Sequence, residues 1–470
     1  MANCSLKLIF ILLGAIITPS LFAEPKRFVI SDYGAVGDGV TLNTKTIQAA
    51  IDVCAADGGG VLVVPKGSFL SGALYFKQGV GLLVEKDGVL KSTTALADFP
   101  PIYTRWEGIE RYWTSAFLNF IGMKNVEVSG QGMIDGSGDA WEREHPRMHR
   151  SEAERPPHPA TAGVQASLPR PEEVYPKPMP TMEAINLAPD SAKLPTINAA
   201  GLALPRDVGR LSPPRAVVFQ NCANVHVSDL VLKNQARWGF VFIYCENVIA
   251  ERLTVRAEHN IPSSDSMDID SCRRVLVTGC DFDCNDDCLS IKSGKDEDGR
   301  RVNRPSEDIV IEKTRFAYGH GGAAIGSETS GGVRNVEVRD CIAEAGNWAP
   351  IRFKSQPSRG GVVENIVYRN FELRDVRAAF EFDLEWNMRI NVAGDTRVPP
   401  TVRNVKLINI HGTANAVGRI HGLADSPIAG VIFENCDVTA ERGLEIDHAS
   451  NIDISGLKLH VTEGKPILLR

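Results

Sequence analysis

Four short stretches concentrate side chains that can exchange protons or hold charge. They are Ser263-Ser264-Asp265 within SSDSMDID, Asp286-Asp287 within FDCNDDCLSIKSG, Gly319-His320-Gly321 within GHGGAAIG, and Arg352-Phe353-Lys354 within IRFKS. Each alone has an ordinary reading. A pair of adjacent aspartates is commonly a solvated corner, because like charges that close repel and unpaired carboxylates are costly to bury. A glycine-flanked histidine is commonly a tight turn. Asp281, Asp283 and Asp287 could form a hard-cation site, since oxygen clusters suit calcium. Asp268 and Asp270 could serve only as partners of neighbouring side chains.

The intervals between the stretches argue for more. From Phe219 onward one phrase returns, as FQNCANVHVSDLVLKN, IYCENVIAERLTVRA, IDSCRRVLVTGCDFD, SEDIVIEKTRFA, VRNVEVRDCIAEA, VENIVYRNFEL, VRNVKLINIHG, IAGVIFENCDV and ASNIDISGLKL, with an earlier copy in FIGMKNVEVSGQGMID. The period, roughly 20–40 residues, is that of stacked structural units. Apolar and polar residues alternate with period two, which specifies strands. The residue before the apolar pair is Asn at 125, 224, 247, 335, 365, 404 and 451, predicting a ladder of side-chain amides at one corner. Cys222, Cys245 and Cys272 fall two residues before that corner, predicting a column of buried thiols. Neither the signature of a propeller nor that of a leucine-rich horseshoe is present. The expected class is all-β, a single parallel β-helix, its open end capped by a short N-terminal helix in NTKTIQAAIDVCAADGGG.

Such a stack changes the meaning of sequence distance, because residues one coil apart lie roughly 4.7–4.9 Å from each other. Asp265 comes beside Asp286 and Asp287; His320 follows one coil later, and Arg352 with Lys354 one coil after that. Within the last strand Arg352 and Lys354 share one face while Phe353 points into the core. Crowded carboxylates split their pKa values, so that one holds a proton while another is ionised, as glycoside hydrolysis by acid and base requires. The neighbouring cations favour a substrate that itself carries carboxylates.

Bulk properties narrow the field. With 470 residues, 43% hydrophobic, the chain can build a large core. A formal net charge of -7 gives no basic face for nucleic acid. The N-terminus MANCSLKLIFILLGAIITPSLFA reads as a signal peptide over 1–23, with a Lys7 n-region and a short apolar run. No later segment is long and apolar enough to span a membrane, so an exported protein, periplasmic or extracellular and monomeric, is expected over 24–470. Of 10 cysteines, Cys4 leaves with the signal, and an odd remainder argues against a disulfide framework. Residues 143–214, rich in Pro, Ala and charge, interrupt the repeat and are read as an insertion on one face. A loop there would close one end of a groove and favour release of terminal sugars.

The four stretches together resemble the polygalacturonase (pectinase) family of glycoside hydrolases, whose signatures are Asn-Thr-Asp, Asp-Asp, Gly-His-Gly and Arg-x-Lys. DYGAVGDGVTLNTKTIQAAID, GGGVLVVPKGSFLSGAL, YTRWEGIE and GQGMIDGSGDAWE are similar to the N-terminal part of bacterial members, here of exo type. The resemblance implies a right-handed β-helix and hydrolysis of α-1,4-galacturonosidic bonds in pectin with inversion, needing no metal or other cofactor. It implies that Asp286 is the general acid and that Asp265 and Asp287 hold and activate water. His320 would tune the proton of the acid, and Arg352 with Lys354 would grip the substrate carboxylate. Inverting geometry would set the carboxyl groups about 6.5–9.5 Å apart. Ser263 stands where the family has Asn, Ser266 where it has Gly, and Asn285 where Gly is frequent. The other readings are hydrolysis of another pectic linkage such as rhamnogalacturonan, a calcium-dependent pectate lyase, and a non-catalytic glycan-binding protein.

Overall fold

A computed structural model describes residues 25–145, 212–386 and 397–470. The expected signal peptide and nearly all of the 143–214 insertion lie outside the described residues. Residues 143–145 close a short helix, Gly138–Glu144, and the chain is described again from Ser212.

The repeat folds as a right-handed parallel β-helix. Each coil runs through three short strands, such as Met267–Asp270, Arg273–Thr278 and Asp281–Asp283, and every strand pairs in parallel with its counterpart one coil on. The first strand of each coil belongs to the sheet that carries the site. Its inward positions form one continuous column: Val217, Phe240, Met267, Leu289, Ala323, Ile351 and Phe380 are all buried. Rings stack along a neighbouring column, Phe120 on Phe219 at 4.8 Å and Phe219 on Phe242 at 5.0 Å. Each fully buried side chain of this kind contributes roughly 1.5–3 kcal/mol, so the stack is held mainly by its apolar interior.

The corners are fixed by asparagine. Asn125, Asn224, Asn247, Asn335, Asn365, Asn404 and Asn451 all have φ between 53° and 57°, a left-handed conformation that Asn tolerates better than other side chains. Their amides link coil to coil, Asn224 Nδ2 donating to Asn125 Oδ1 at 2.8 Å and Asn247 Nδ2 to Asn224 Oδ1 at 2.9 Å. A second ladder runs Asp340, Asn370, Asn409 and Asn435, with amide bonds of 2.7–2.9 Å. Cys222, Cys245 and Cys272 form the expected column, the Cys245 N–H donating to Cys272 Sγ at 3.3 Å; all nine cysteines of the described residues are free and buried. The helix Thr44–Ala56 caps the first coils through Ile47, Ala50, Ile51 and Cys54 and stops at Gly58-Gly59.

One element breaks the parallel scheme. Strands Pro101–Trp106 and Ile109–Thr114 form an antiparallel hairpin. It lies on the outer face of the site-bearing sheet, where Trp106 and Trp113 pack with Trp238 against Val218, Val241 and Ile243.

Candidate active site

The outward positions of the site-bearing sheet, read coil by coil, are Val241 and Ile243, then Asp268 and Asp270, Ser290 and Lys292, Ala324 and Gly326, Arg352 and Lys354, Glu381 and Asp383. The change from apolar to charged marks where the hairpin ends and the site begins. Small residues at 290, 324 and 326 leave a trough between two charged banks.

Asp265 leads into the strand Met267–Asp270, and Asp286-Asp287 form the turn before Leu289–Lys292. The Ser266 N–H donates to the Asp287 carbonyl at 3.0 Å, and the Asn285 N–H to Ser264 Oγ at 3.1 Å, which locks the two turns together. Gln235 Nε2 donates to the carbonyls of Ser264 and Asp265 from the coil above. The result brings one oxygen from each of Asp265, Asp286 and Asp287 within 4.8 Å of one another. Ser263 has φ 54°, which explains why Asn suits that position in the family pattern; the chain keeps the turn with a serine.

The glycines around His320 are required by close approach. A Cβ at Gly319 would lie 2.6 Å from the Asp286 carbonyl, and one at Gly321 2.9 Å from Asp287 Oδ1. With both positions bare, the His320 N–H donates to the Asp286 carbonyl at 2.9 Å and His320 Nδ1 lies 3.3 Å from Asp286 Oδ1. One coil on, Lys354 Nζ donates to Asp287 Oδ2 at 2.5 Å. Arg352 is held by Glu381 at 2.8 Å and reaches Asp287 Oδ1 at 3.9 Å, while Phe353 is buried in the core. All six residues singled out in the sequence therefore meet in one place.

The hard-cation alternative does not assemble. Asp281 pairs with Arg256 and Arg315, and Asp283 with His259, and among the described residues neither joins Asp287 in its cluster with Asp265 and Asp286. The three oxygens of Asp265, Asp286 and Asp287 are close enough for a cation, but Lys354, Arg352 and His320 already supply counter-charge.

Burial and the charges of Asp268 and Asp286 push the Asp265 carboxyl well above its usual range. Burial also works to raise Asp286, but the hydrogen bond and charge of His320, with Lys354 and Lys292, outweigh it and hold that carboxyl below its usual range. The Asp286 contact in turn raises His320. The split expected of crowded acids is present: Asp265 and the neighbouring Asp268 are pushed up by burial, while Asp286 is held down.

Residues that the motifs did not flag complete the site. Lys292 Nζ lies 3.1 Å from Glu328 Oε2, 3.6 Å from Asp268 Oδ1 and 4.8 Å above the Trp238 ring. Burial alone would raise the Glu328 carboxyl, but Lys292, Arg359 and Lys295 hold it at about 2. Both oxygens of buried Asp268, and one each of Asp265 and Asp287, make no hydrogen bond among the described residues. The signal for Lys292 was available, since in CLSIKS it alternates with core residues on the same face as Ser290. Arg105 of the hairpin had no such signal: it donates to Asp270 Oδ1 at 2.9 Å and to Ser271 Oγ at 2.7 Å across a separation of 165 residues or more.

A parallel β-helix that carries a buried carboxylate cluster beside a histidine and paired cations defines a glycoside hydrolase. The family pattern of glycosyl hydrolases family 28 matches residues 205–458, and the chain belongs to that family. It is 27% identical over 371 residues to the exo-poly-alpha-D-galacturonosidase of Dickeya chrysanthemi, covering 77% of this chain and 57% of that protein, little more than half its length. Among solved structures, a hyperthermoactive exopolygalacturonase from Thermotoga maritima superposes with a TM-score of 0.68 and 27% identity, over 92% of this chain and 93% of the other. A family 28 exopolygalacturonase from Yersinia enterocolitica shares the fold at a TM-score of 0.70 and 20% identity, over 95% and 77% of the two chains.

Proposed function

We propose that the chain hydrolyses α-1,4-galacturonosidic bonds of polygalacturonate, releasing sugars from a chain end. The observation that carries the substrate class is the Arg352–Lys354 bank beside Asp287, two buried cations placed to meet a uronate carboxylate next to the scissile bond. The hairpin carries the exo action. It covers the outer face of the sheet at Val241 and Ile243, one coil before the Asp268–Asp270 row, and in this reading it stands in the path of a continuing polymer.

In this reading Asp286 protonates the glycosidic oxygen, drawing its proton through the 3.3 Å contact with protonated His320. Asp265 and Asp287 hold the attacking water, with Lys354 Nζ in contact with Asp287 Oδ2. One oxygen from each of the three acids lies within 4.8 Å of the others, an atom contact distinct from the carboxyl-to-carboxyl spacing that separates inverting from retaining enzymes. Inversion is favoured by the resemblance to polygalacturonases. The anomer of the first product, read by NMR during hydrolysis, decides it.

Export is proposed from the apolar N-terminal run, which places the enzyme where pectic polymers are met. The test is incubation with de-esterified polygalacturonate in the presence of a chelator, with products separated by size. Galacturonate monomer from the outset, with no unsaturated product, is expected. Unsaturated products would establish a lyase, and absence of any product would move the substrate to a branched pectic linkage.

A further inference from the structure

A lip runs beside the floor of the groove on its open side. Gly319 and Gly321 pair in register with Asn347 and Ala349, which sets Trp348 one coil beyond His320, its ring edge-on at 6.1 Å and 83°. Trp348 is 40% exposed, unusual for a residue of its size. The Arg377 guanidinium lies 4.4 Å over its ring. Val376 and Ala378 pair with Ala414 and Ala416, which sets Arg377 beside Asn415, one coil further on. The line His320, Trp348, Arg377 thus leads away from the acids in the same direction as the floor from Arg352 to Glu381.

Arg377 differs from the arginines around it. Arg352 is paired with Glu381, Arg374 with Glu372 and Glu344, and Arg419 with Glu381 and Asp383. Among the described residues no carboxylate pairs with Arg377. Its guanidinium is instead held flat on an aromatic ring, an arrangement that orients the group while leaving its planar edge of N–H donors free. A free guanidinium edge matches a carboxylate in two parallel hydrogen bonds.

We propose that Arg377, positioned by the Trp348 ring, binds the carboxylate of the second sugar on the leaving-group side, next after the sugar gripped by Arg352 and Lys354. This rests on the galacturonan reading and assigns a specificity residue within it. The subsite makes the enzyme read a third uronate beyond the two that flank the scissile bond, so it bears on trigalacturonate and longer chains but not on the dimer, which ends before reaching it.

The experiment compares kcat and KM of the full chain on digalacturonate and trigalacturonate for Arg377→Gln, Trp348→Ala and Trp348→Phe. For Arg377→Gln, kcat/KM on the trimer is expected to fall roughly tenfold further than on the dimer, mainly through KM, the size of effect of one charge-assisted bond. Trp348→Ala should reproduce that selective fall, and Trp348→Phe, which keeps a ring under the guanidinium, should restore most of it. An equal fall on both substrates would overturn the proposal, because it would mean that the lip acts through His320. Unchanged kinetics on both would overturn it as well. If the unaltered protein cleaves neither oligomer, the galacturonan reading itself fails and takes this assignment with it.

Discussion

The two ends of the groove are built by opposite means. Upstream of the acids, three tryptophans, an arginine and a hairpin cover the sheet: Trp106 stacks on Trp113 at 5.4 Å and on Trp238 at 4.9 Å, and Arg105 is fully buried against Asp270. Downstream the same sheet carries charged side chains outward, and their partners are one another: Arg352 with Glu381, and Arg419 with Glu381 and Asp383. The repeat supplies the same scaffold to both ends. What differs among the described residues is one non-repeating element, the hairpin, which covers the outer face of the sheet on one side of the acids and not on the other.

The largest effect is expected between the two ends, at the acids. Asp286→Asn should lower kcat about 10²–10⁴-fold with little change in KM, measured as reducing ends released from polygalacturonate. Asp283→Asn, three residues away but paired to His259, should change it less than about twofold, as surface substitutions usually do. Next comes the wall. Arg105→Ala would leave Asp270 charged and buried without its partner, a loss of about 3–5 kcal/mol visible as a lowered Tm. Its products should broaden from monomer to mixed oligomers; monomer alone from a folded variant would show that the hairpin does not set the mode of action. At the open end, Arg352→Lys removes the planar fork and should raise KM for polygalacturonate roughly tenfold or more while leaving monomer as the product.

The pH dependence sharpens the comparison further. His320 is raised above 6.5 by Asp286, so it is protonated below that raised value and loses its proton above it. Activity should decline as pH rises through this value, because the proton destined for Asp286 is then gone. His320→Gln should flatten that limb of the kcat profile; a limb that persists unchanged would assign the titration to another group. The smallest effect belongs to the scaffold. Asn224→Ala removes two ladder bonds, to Asn125 and from Asn247, and places alanine at φ 55°, costing about 1–2 kcal/mol in a denaturant titration with no change in product size.

Much of this was legible in the chain. Period-two alternation specified strands, the recurring Asn marked left-handed corners, and coil spacing was enough to group Asp265, Asp286, Asp287, His320, Arg352 and Lys354. Three features were not. The direction in which each acid is shifted depends on distances and burial within the cluster, which push Asp265 and Asp268 up and hold Asp286 down. The second ladder, Asp340 to Asn435, stands a fixed five residues after Asn335, Asn365, Asn404 and Gly430, but it begins with Asp and its last member follows Gly, so no single residue type marks it in the phrase. The hairpin 101–114 was visible as YTRWEGIERYW, but nothing in those letters says which face it covers.

By itself the sequence determined the repeating elements and the column in which each reactive side chain stands, since both follow from local alternation and from a spacing of about one strand per coil. Only the tertiary structure decided which face of the column the hairpin covers and which acids are shifted up and which down. Those depend on contacts between residues such as Arg105 and Asp270, 165 positions apart, and on the loss of water that those contacts impose.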